Sequence, residues 1–456
     1  MIRGSLAEFA PALHGRCTAD ARFEGVCIDS RRATPETLFV AIRGERMDGH
    51  GFVAEAAQAG VAAAMVEREL DSALPQMIVA DTTAGLGQLA SYWRRRFTLP
   101  VIGVTGSNGK TTVKEMLASI LSCRGEVLAT RGNLNNHIGM PLTLLDLDES
   151  HQTAVIEMGA NHVGEIALLA GLARPTVGLV INAGRAHLEG FGSLENVARG
   201  KGEMFTALPD DGVAVINADD AYAGLWLELA GSRTVLRFGR SEQAEVRVVG
   251  AVEHDAGGNQ CFVLATPQGE VAISLPLPGR HNVSNALAAA AAALAAGITP
   301  AEIAAGLARV AGAPGRLQLR RSSTGAWLID DSYNANPDSL VVALELLASR
   351  EGRRVLVLGD MGELGPGARE LHAEMGRQAR ASGIEHLYTL GELSAAANEA
   401  FGEGGCHNSE MQSLLGVLCG HTGPDCTILV KGSRSMQMER VVEALVAPVT
   451  ADAPGD

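Results

Sequence analysis

Val101-Ile102-Gly103-Val104-Thr105-Gly106-Ser107-Asn108-Gly109-Lys110-Thr111-Thr112 decides the fold. An apolar run, residues 100–104, enters a glycine-bearing turn, and helical spacing resumes over residues 111–121. Glycines let the chain curl so that several N–H groups converge on one anion; a helix N-terminus adds its dipole. Lys110 supplies a point charge for a β- or γ-phosphate, and the Thr111 hydroxyl is placed for a magnesium ion. Strand, loop and helix in that order read as a phosphate cradle for ATP or another nucleoside triphosphate. Its contacts are Thr105, Gly106, Ser107, Asn108, Gly109, Lys110, Thr111 and Thr112. The general pattern asks for glycine where Val104 stands, and Gly106 follows two positions later, so the loop is a variant.

Outward from the loop the pattern repeats. Apolar runs at 153–156, 176–181 and 212–216 alternate with helical stretches at 164–173, 193–205 and 282–296. That alternation predicts a parallel α/β sheet. Residues 245–275 read as hairpins turning at Gly257-Gly258 and Gln268-Gly269. Upstream, β-like runs at 25–28, 38–42 and 76–80, with a helical stretch at 51–59, predict a small mixed α/β domain. Downstream of 314, strand and helix alternate again, predicting a smaller Rossmann-like α/β domain. Three domains follow: 1–82, a central P-loop ATPase domain at 83–313, and 314–456 with a frayed tail at 447–456. A chain of 456 residues exceeds the roughly 250–300 at which one core stops growing.

A net charge of −15 argues against a nucleic-acid or membrane-surface binder, which would carry basic stripes. It does not exclude anionic small molecules, because backbone amides and a few cations supply local positive potential. Seven scattered cysteines without a Cys-x-x-Cys pair speak against a zinc site or disulfide framework and for free thiols in the cytoplasm. The longest apolar stretch, 286–296, is too short for the ~20 residues of a membrane span.

Beyond the loop, the run 153–156 ends in Glu157, which a neighbouring parallel strand would bring to the β/γ-phosphates. Alone, a strand-end Glu is more often solvated or a helix cap. His187 closes the next strand-end segment, and a lone His is more often structural. Lys201 sits on a helical stretch where a lysine ordinarily faces water.

Together these strings are informative. Residues 105–112, Glu157-Met158-Gly159-Ala160, Asn182-Ala183-Gly184-Arg185-Ala186-His187 and Gly200-Lys201-Gly202-Glu203 resemble the Mur ligases of peptidoglycan synthesis in order and spacing. The resemblance implies that Thr111, Glu157 and His187 hold magnesium and that Lys201 is carbamylated into a further ligand. It makes Lys110, His187 and Lys201 catalytic. Asn282, Arg316 and Asp331 become contacts of ATP, by likeness to the family's adenine segment, phosphate arginine and third-domain acidic motif.

Strings around Asn133, Asn135 and Asn136, around Asn334 and Asn336, and at 358–365 are similar to the branch that adds D-alanyl-D-alanine. They imply substrate contacts, and Ser30 and Arg31 resemble the segment that meets a UDP-sugar, which makes 1–82 its binding domain. Residues 431–434 resemble a third-domain loop whose contact stays unassigned. The implied reaction is ATP-dependent joining of D-alanyl-D-alanine to UDP-N-acetylmuramoyl-tripeptide through an acyl phosphate, by a monomer. A diaminopimelate- or lysine-adding ligase and a folylpolyglutamate synthetase are the near alternatives. Both are disfavoured by a full first domain and no Asp-Asn-Pro-Arg segment. A P-loop kinase or ATPase, or a non-catalytic nucleotide-binding module, would be a different class.

Overall fold

In the computed structural model, which describes residues 1–44, 46–418 and 423–446, the run before the loop is the strand Val101–Thr105, buried along its whole length. It lies between parallel neighbours, His151–Glu157 on one side and Val177–Val180 on the other. Its side chains divide between the faces as a pleated strand requires. Val101, with Ala154 and Ile156, packs under the helices Thr82–Arg94, Glu165–Ala173 and Leu194–Thr206. Ile102 and Val104, with Val155, pack under Lys110–Leu121, Arg280–Ala295 and Pro300–Leu307.

The sheet has nine strands, and Val101–Thr105 stands where the order turns. The chain builds outward on one side through Glu126–Ala129, then on the other through Val213–Asn217 and Thr234–Gly239. Ligands of such sheets bind beyond the strand ends at this switch point. The hairpins expected at 245–275 form the antiparallel strands Val246–His254, Gln260–Thr266 and Gly269–Leu275. The alanine-rich helix Arg280–Ala295 is buried almost throughout, because its small side chains let it lie close against Lys110–Leu121.

The first sheet has five strands, four parallel and one antiparallel. Its inner strand Ala63–Val66 was not among the strands expected from the sequence. Ile2 donates to the Leu145 carbonyl at 2.6 Å, and Phe9 and Leu86 share one core, so this unit is fastened to the central one.

The last sheet has six strands, parallel except for the edge strand Gln318–Arg321. Helices cover both faces, Pro337–Ala348 and Ala368–Ala381 on one, Met411–Leu418 and Glu439–Val446 on the other. This is the Rossmann-like arrangement. The tail expected at 447–456 lies outside the described residues. No described helix is long and apolar enough to cross a membrane. The six described cysteines are free thiols.

Candidate active site

The strand ends of the second and third sheets face one another across a cavity of about 1220 Å³. Residues 107–112 form its floor. Gly109 takes φ +85° and approaches Asn285 so closely that a Cβ would lie 2.5 Å from Oδ1, so no other residue fits there. The Lys110 ammonium folds back on its own loop, donating to the Gly106 carbonyl at 2.7 Å. Burial pushes its pKa below the usual lysine range, Arg316 adds to that, and Glu157 and Glu363 oppose it. An entering phosphate would supply the negative charge that offsets both the burial and the repulsion. Thr105 and Gly106 lie at the root of the loop and do not line the cavity.

Glu157 ends its strand in register with Val104, one residue before the loop begins. The register sets its side chain beside the loop: Oε2 accepts from the Thr111 hydroxyl at 3.1 Å and Oε1 from Asn135 Nδ2 at 2.8 Å. The Thr130 hydroxyl receives the Glu157 amide at 2.9 Å. The carboxylate is 2% exposed and both its partners are neutral, so its charge is uncompensated by them. Asn136 accepts from the Gly139 amide at 2.8 Å where the helix Gly139–Leu145 begins, and Asn133 lines the cavity in the same loop.

The segment 182–187 is sewn to the phosphate loop. Asn182 accepts from the Asn108 amide at 2.9 Å, and the Gly184 amide donates to Ser107 Oγ at 2.8 Å. His187 follows in the left-handed region at φ 56°, a conformation that costs a non-glycine residue energy and recurs at functional sites. Its Nδ1 contacts a carboxylate oxygen of Glu363, itself at φ 61° on the third domain. That contact, ahead of burial, holds the Glu363 carboxyl below its ordinary value.

Lys201 does not line the cavity; it is 1% exposed behind it. Among the described residues its ammonium has no hydrogen bond or ion pair, only the Phe191 ring with its centroid 5.6 Å away. Burial drives its pKa well below the lysine range, and nearby Lys110 adds to that, so the neutral amine is favoured.

Across the cavity, Arg316 stacks its guanidinium 4.3 Å from the Tyr333 ring centroid. Asp331 is in ion contact with the buried Lys431 and accepts from the Leu317 amide at 3.2 Å. Lys431 also donates to the Asn334 carbonyl at 3.0 Å. Asn336 caps Pro337–Ala348 and reaches the phosphate loop, Nδ2 to Asn108 Oδ1 at 2.8 Å. Asn282 lines the cavity at the start of its helix and donates to the Pro278 carbonyl at 2.7 Å.

Ser30 and Arg31 lie on a short 3-10 turn away from the cavity, where Arg31 is 82% exposed and pairs with Asp29 at 2.8 Å. Sequence reasoning assigned no role to Asn182, Glu363 or Lys431. Each stood inside a quoted string, but its partner is distant in the chain and only the fold supplies it.

Three family models match the chain: the Mur ligase family catalytic domain at 22–91, the Mur ligase middle domain at 104–293, and the Mur ligase glutamate ligase domain at 315–434. The chain is 45% identical to UDP-N-acetylmuramoyl-tripeptide–D-alanyl-D-alanine ligase of Escherichia coli K12, over 98% of this chain and 99% of that one. Among solved structures it is similar to MurF from Acinetobacter baumannii, with TM-score 0.92 and 36% identity, covering 98% and 99% of the two chains. It is also similar to MurF ligase from Thermotoga maritima in complex with ADP, with TM-score 0.81 and 26% identity, covering 93% and 97%.

Proposed function

The chain belongs to the Mur ligase family, and on that footing we infer that it joins D-alanyl-D-alanine to UDP-N-acetylmuramoyl-tripeptide at the expense of ATP, releasing ADP and phosphate, in peptidoglycan precursor synthesis. The observation that carries this reading is the shared cavity: a phosphate cradle from one sheet faces the strand ends of another, so nucleotide and acceptor can meet between them.

A carboxylate is a poor electrophile, so an amide does not form from it unaided in neutral water. Phosphorylation answers this: a carboxylate oxygen bonds to the γ-phosphorus, the bond to the β-phosphate oxygen breaks, and ADP leaves. The dipeptide amine then attacks the carbonyl carbon, a tetrahedral intermediate collapses, phosphate leaves and the amine loses its proton. The loop amides and Lys110 bind the phosphates, and Arg316 stabilises charge on the transferring group from the opposite wall. Asn282 contacts the adenine of ATP, and Asp331 approaches the nucleotide. Asn135 orients Glu157, and Glu363 orients His187. Asn133, Asn136, Asn334 and Asn336 border the substrate path, and Ser30 and Arg31 face the UDP-sugar from domain 1–82, with the others at 83–313 and 314–456.

The donor chemistry suits magnesium. Thr111 and Glu157 offer hard oxygens side by side, the donor type that magnesium prefers. Thr111, Glu157, His187 and a carbamylated Lys201 would hold it. When bound it supplies positive charge that draws the phosphate and carboxylate oxygens together. Lys201 fits the modification because only the neutral amine adds carbon dioxide, and burial shifts the ammonium toward that form. Free thiols fit a cytoplasmic enzyme, and a monomer is what the family resemblance implies.

The test is phosphate release from ATP with UDP-N-acetylmuramoyl-tripeptide, with and without D-alanyl-D-alanine. Release that requires the dipeptide, with the joined product found by mass spectrometry, is the expected result. Release indifferent to the dipeptide would sink the ligase reading.

A further inference from the structure

Arg185 sits inside the strand-end segment 182–187, yet its side chain does not line the cavity. It points across the domain boundary. Its amide donates to Asp338 Oδ2 at 2.6 Å, its Nε to Asp338 Oδ1 at 2.8 Å, and its Nη1 to Glu374 Oε1 at 3.0 Å. Asp338 stands in the first turn of Pro337–Ala348, and Glu374 on Ala368–Ala381, so one guanidinium spans two helices of the third domain. Gly184 makes room for this approach: a Cβ there would lie 2.7 Å from Asp338 Oδ2.

Isolated ion pairs at such exposures, about a third for Arg185 and Asp338, contribute little. This one differs in two ways. A main-chain N–H and a side-chain N–H enter the same carboxylate, which fixes its position as well as its charge. The segment that carries the arginine is also rigid. Asn182 and Gly184 bond the phosphate loop, Asp220 accepts from the Ala183 amide at 2.9 Å, and Asn217 donates to the Ile181 carbonyl at 2.9 Å. Any displacement of the third domain therefore pulls on the frame of the phosphate cradle.

We propose that Arg185 is a positioning residue, the latch that holds the third domain closed over the phosphate loop, acting through Asp338 and Glu374 without touching nucleotide or acceptor. Without the arginine, the Asp338 and Glu374 carboxylates lose the charge that ties them to the phosphate-loop side, and the closed arrangement is weakened. The proposal rests on the ligase reading for its kinetic arm only.

The experiment pairs kinetics with small-angle X-ray scattering of the full chain, using a non-hydrolysable ATP analogue and UDP-N-acetylmuramoyl-tripeptide. Arg185→Ala is expected to lower kcat about 10- to 100-fold, since small misplacements at the reacting centre cost that much. KM for ATP should stay within about 3-fold, as uniform binding is untouched. The ligand-bound variant should scatter as a more extended particle than wild type. Arg185→Lys, which keeps charge but loses the fork, should fall between. Glu374→Ala trims a half-exposed side chain without threatening the fold, and should lower kcat by about 3-fold with a matching loss of compaction.

Wild-type kcat in Arg185→Ala, or lost kcat with wild-type scattering, overturns the latch. Should Arg185→Ala fail to fold, unchanged kcat and scattering in Glu374→Ala overturn it alone. A wild-type enzyme that neither turns over nor compacts contradicts the ligase reading instead.

Discussion

Two sheets each send a buried strand-end carboxylate into the same cavity, and the fold treats them oppositely. Glu157, at the end of His151–Glu157, is met by a hydroxyl and an amide. Asp331, at the end of Trp327–Asp331, is met by the Lys431 ammonium, which also caps the Asn334 carbonyl. Both carboxylates pay for leaving water. Asp331 is compensated within the protein, so it serves as a fixed acceptor and as part of the wall. Glu157 has no ion pair among the described residues and feels only the more distant Lys110 charge. The topology is similar in both domains; the partner chosen for one side chain separates a carboxylate open to a metal ion from one already paired with an ammonium.

The sharpest way to break the comparison is Glu157→Gln. Glutamine keeps the shape, its Oε1 accepting from Asn135 while its Nε2 donates to the Thr111 hydroxyl, so the fold should hold while the charge is lost. Loss of charge stabilisation at a transferring group costs about 10³-fold in kcat/KM, roughly 4 kcal/mol. Binding of Mn²⁺ in the presence of ATP, read by electron paramagnetic resonance, should weaken in parallel. A variant with wild-type turnover and metal affinity would show that Glu157, like Asp331, holds no metal ion.

Lys431→Met tests the other side. It leaves Asp331 buried without its cation, a change that costs about 3 kcal/mol of stability. Burial already pushes Asp331 upward from the ordinary carboxylate value, and Lys431 is the main force opposing that. In the variant the folded-state pKa therefore stands above the unfolded one. The penalty is then absent at pH below the unfolded value and grows as pH rises through the folded one. Chemical denaturation at pH 5 and pH 8 should show the larger loss at pH 8. Equal losses at both would mean that the ion contact is not what holds Asp331.

How much of this was legible in the sequence depended on the distance between partners. Residues 100–112 announced strand, cradle and helix because the needed groups are adjacent in the chain. The hairpins at 245–275 were legible through their glycine turns. Ala63–Val66 was not, since alanine carries no period, and only burial between two parallel neighbours makes that stretch a strand. Lys201 reads in sequence as a polar position on Leu194–Thr206, yet Gly200 and Gly202 beside it pack against Phe191 and Trp226, turning that face inward. Thr111 with Glu157, and His187 with Glu363, belong to strands and loops that the sequence shows one at a time. The resemblance to a family supplied the first pair's role, and nothing short of the fold supplied Glu363 or the span of Arg185.

The smallest effect concerns the wall between the two carboxylates. His281, at the start of Arg280–Ala295, faces Lys431 from the central domain, and burial together with that ammonium lowers its pKa to about 4. In the unfolded chain it takes up its proton near about 6.5. Between those values the unfolded state holds the extra proton, so the stability His281 permits is complete above pH 6.5 and declines as pH falls toward 4. His281→Asn should remove that slope, flattening the fall in stability across this range by about 1–2 kcal/mol after allowance for solvent screening. Thermal melts at pH 7 and pH 4.5 read it directly. Burial is the larger cause of the depression, so Lys431→Met should return only part of it, and the His281 imidazole resonance followed by NMR should titrate between about 4 and the ordinary value. If the resonance in Lys431→Met stays where it is in wild type, the third domain's cation does not reach the central wall, and the two strand-end carboxylates are electrostatically independent.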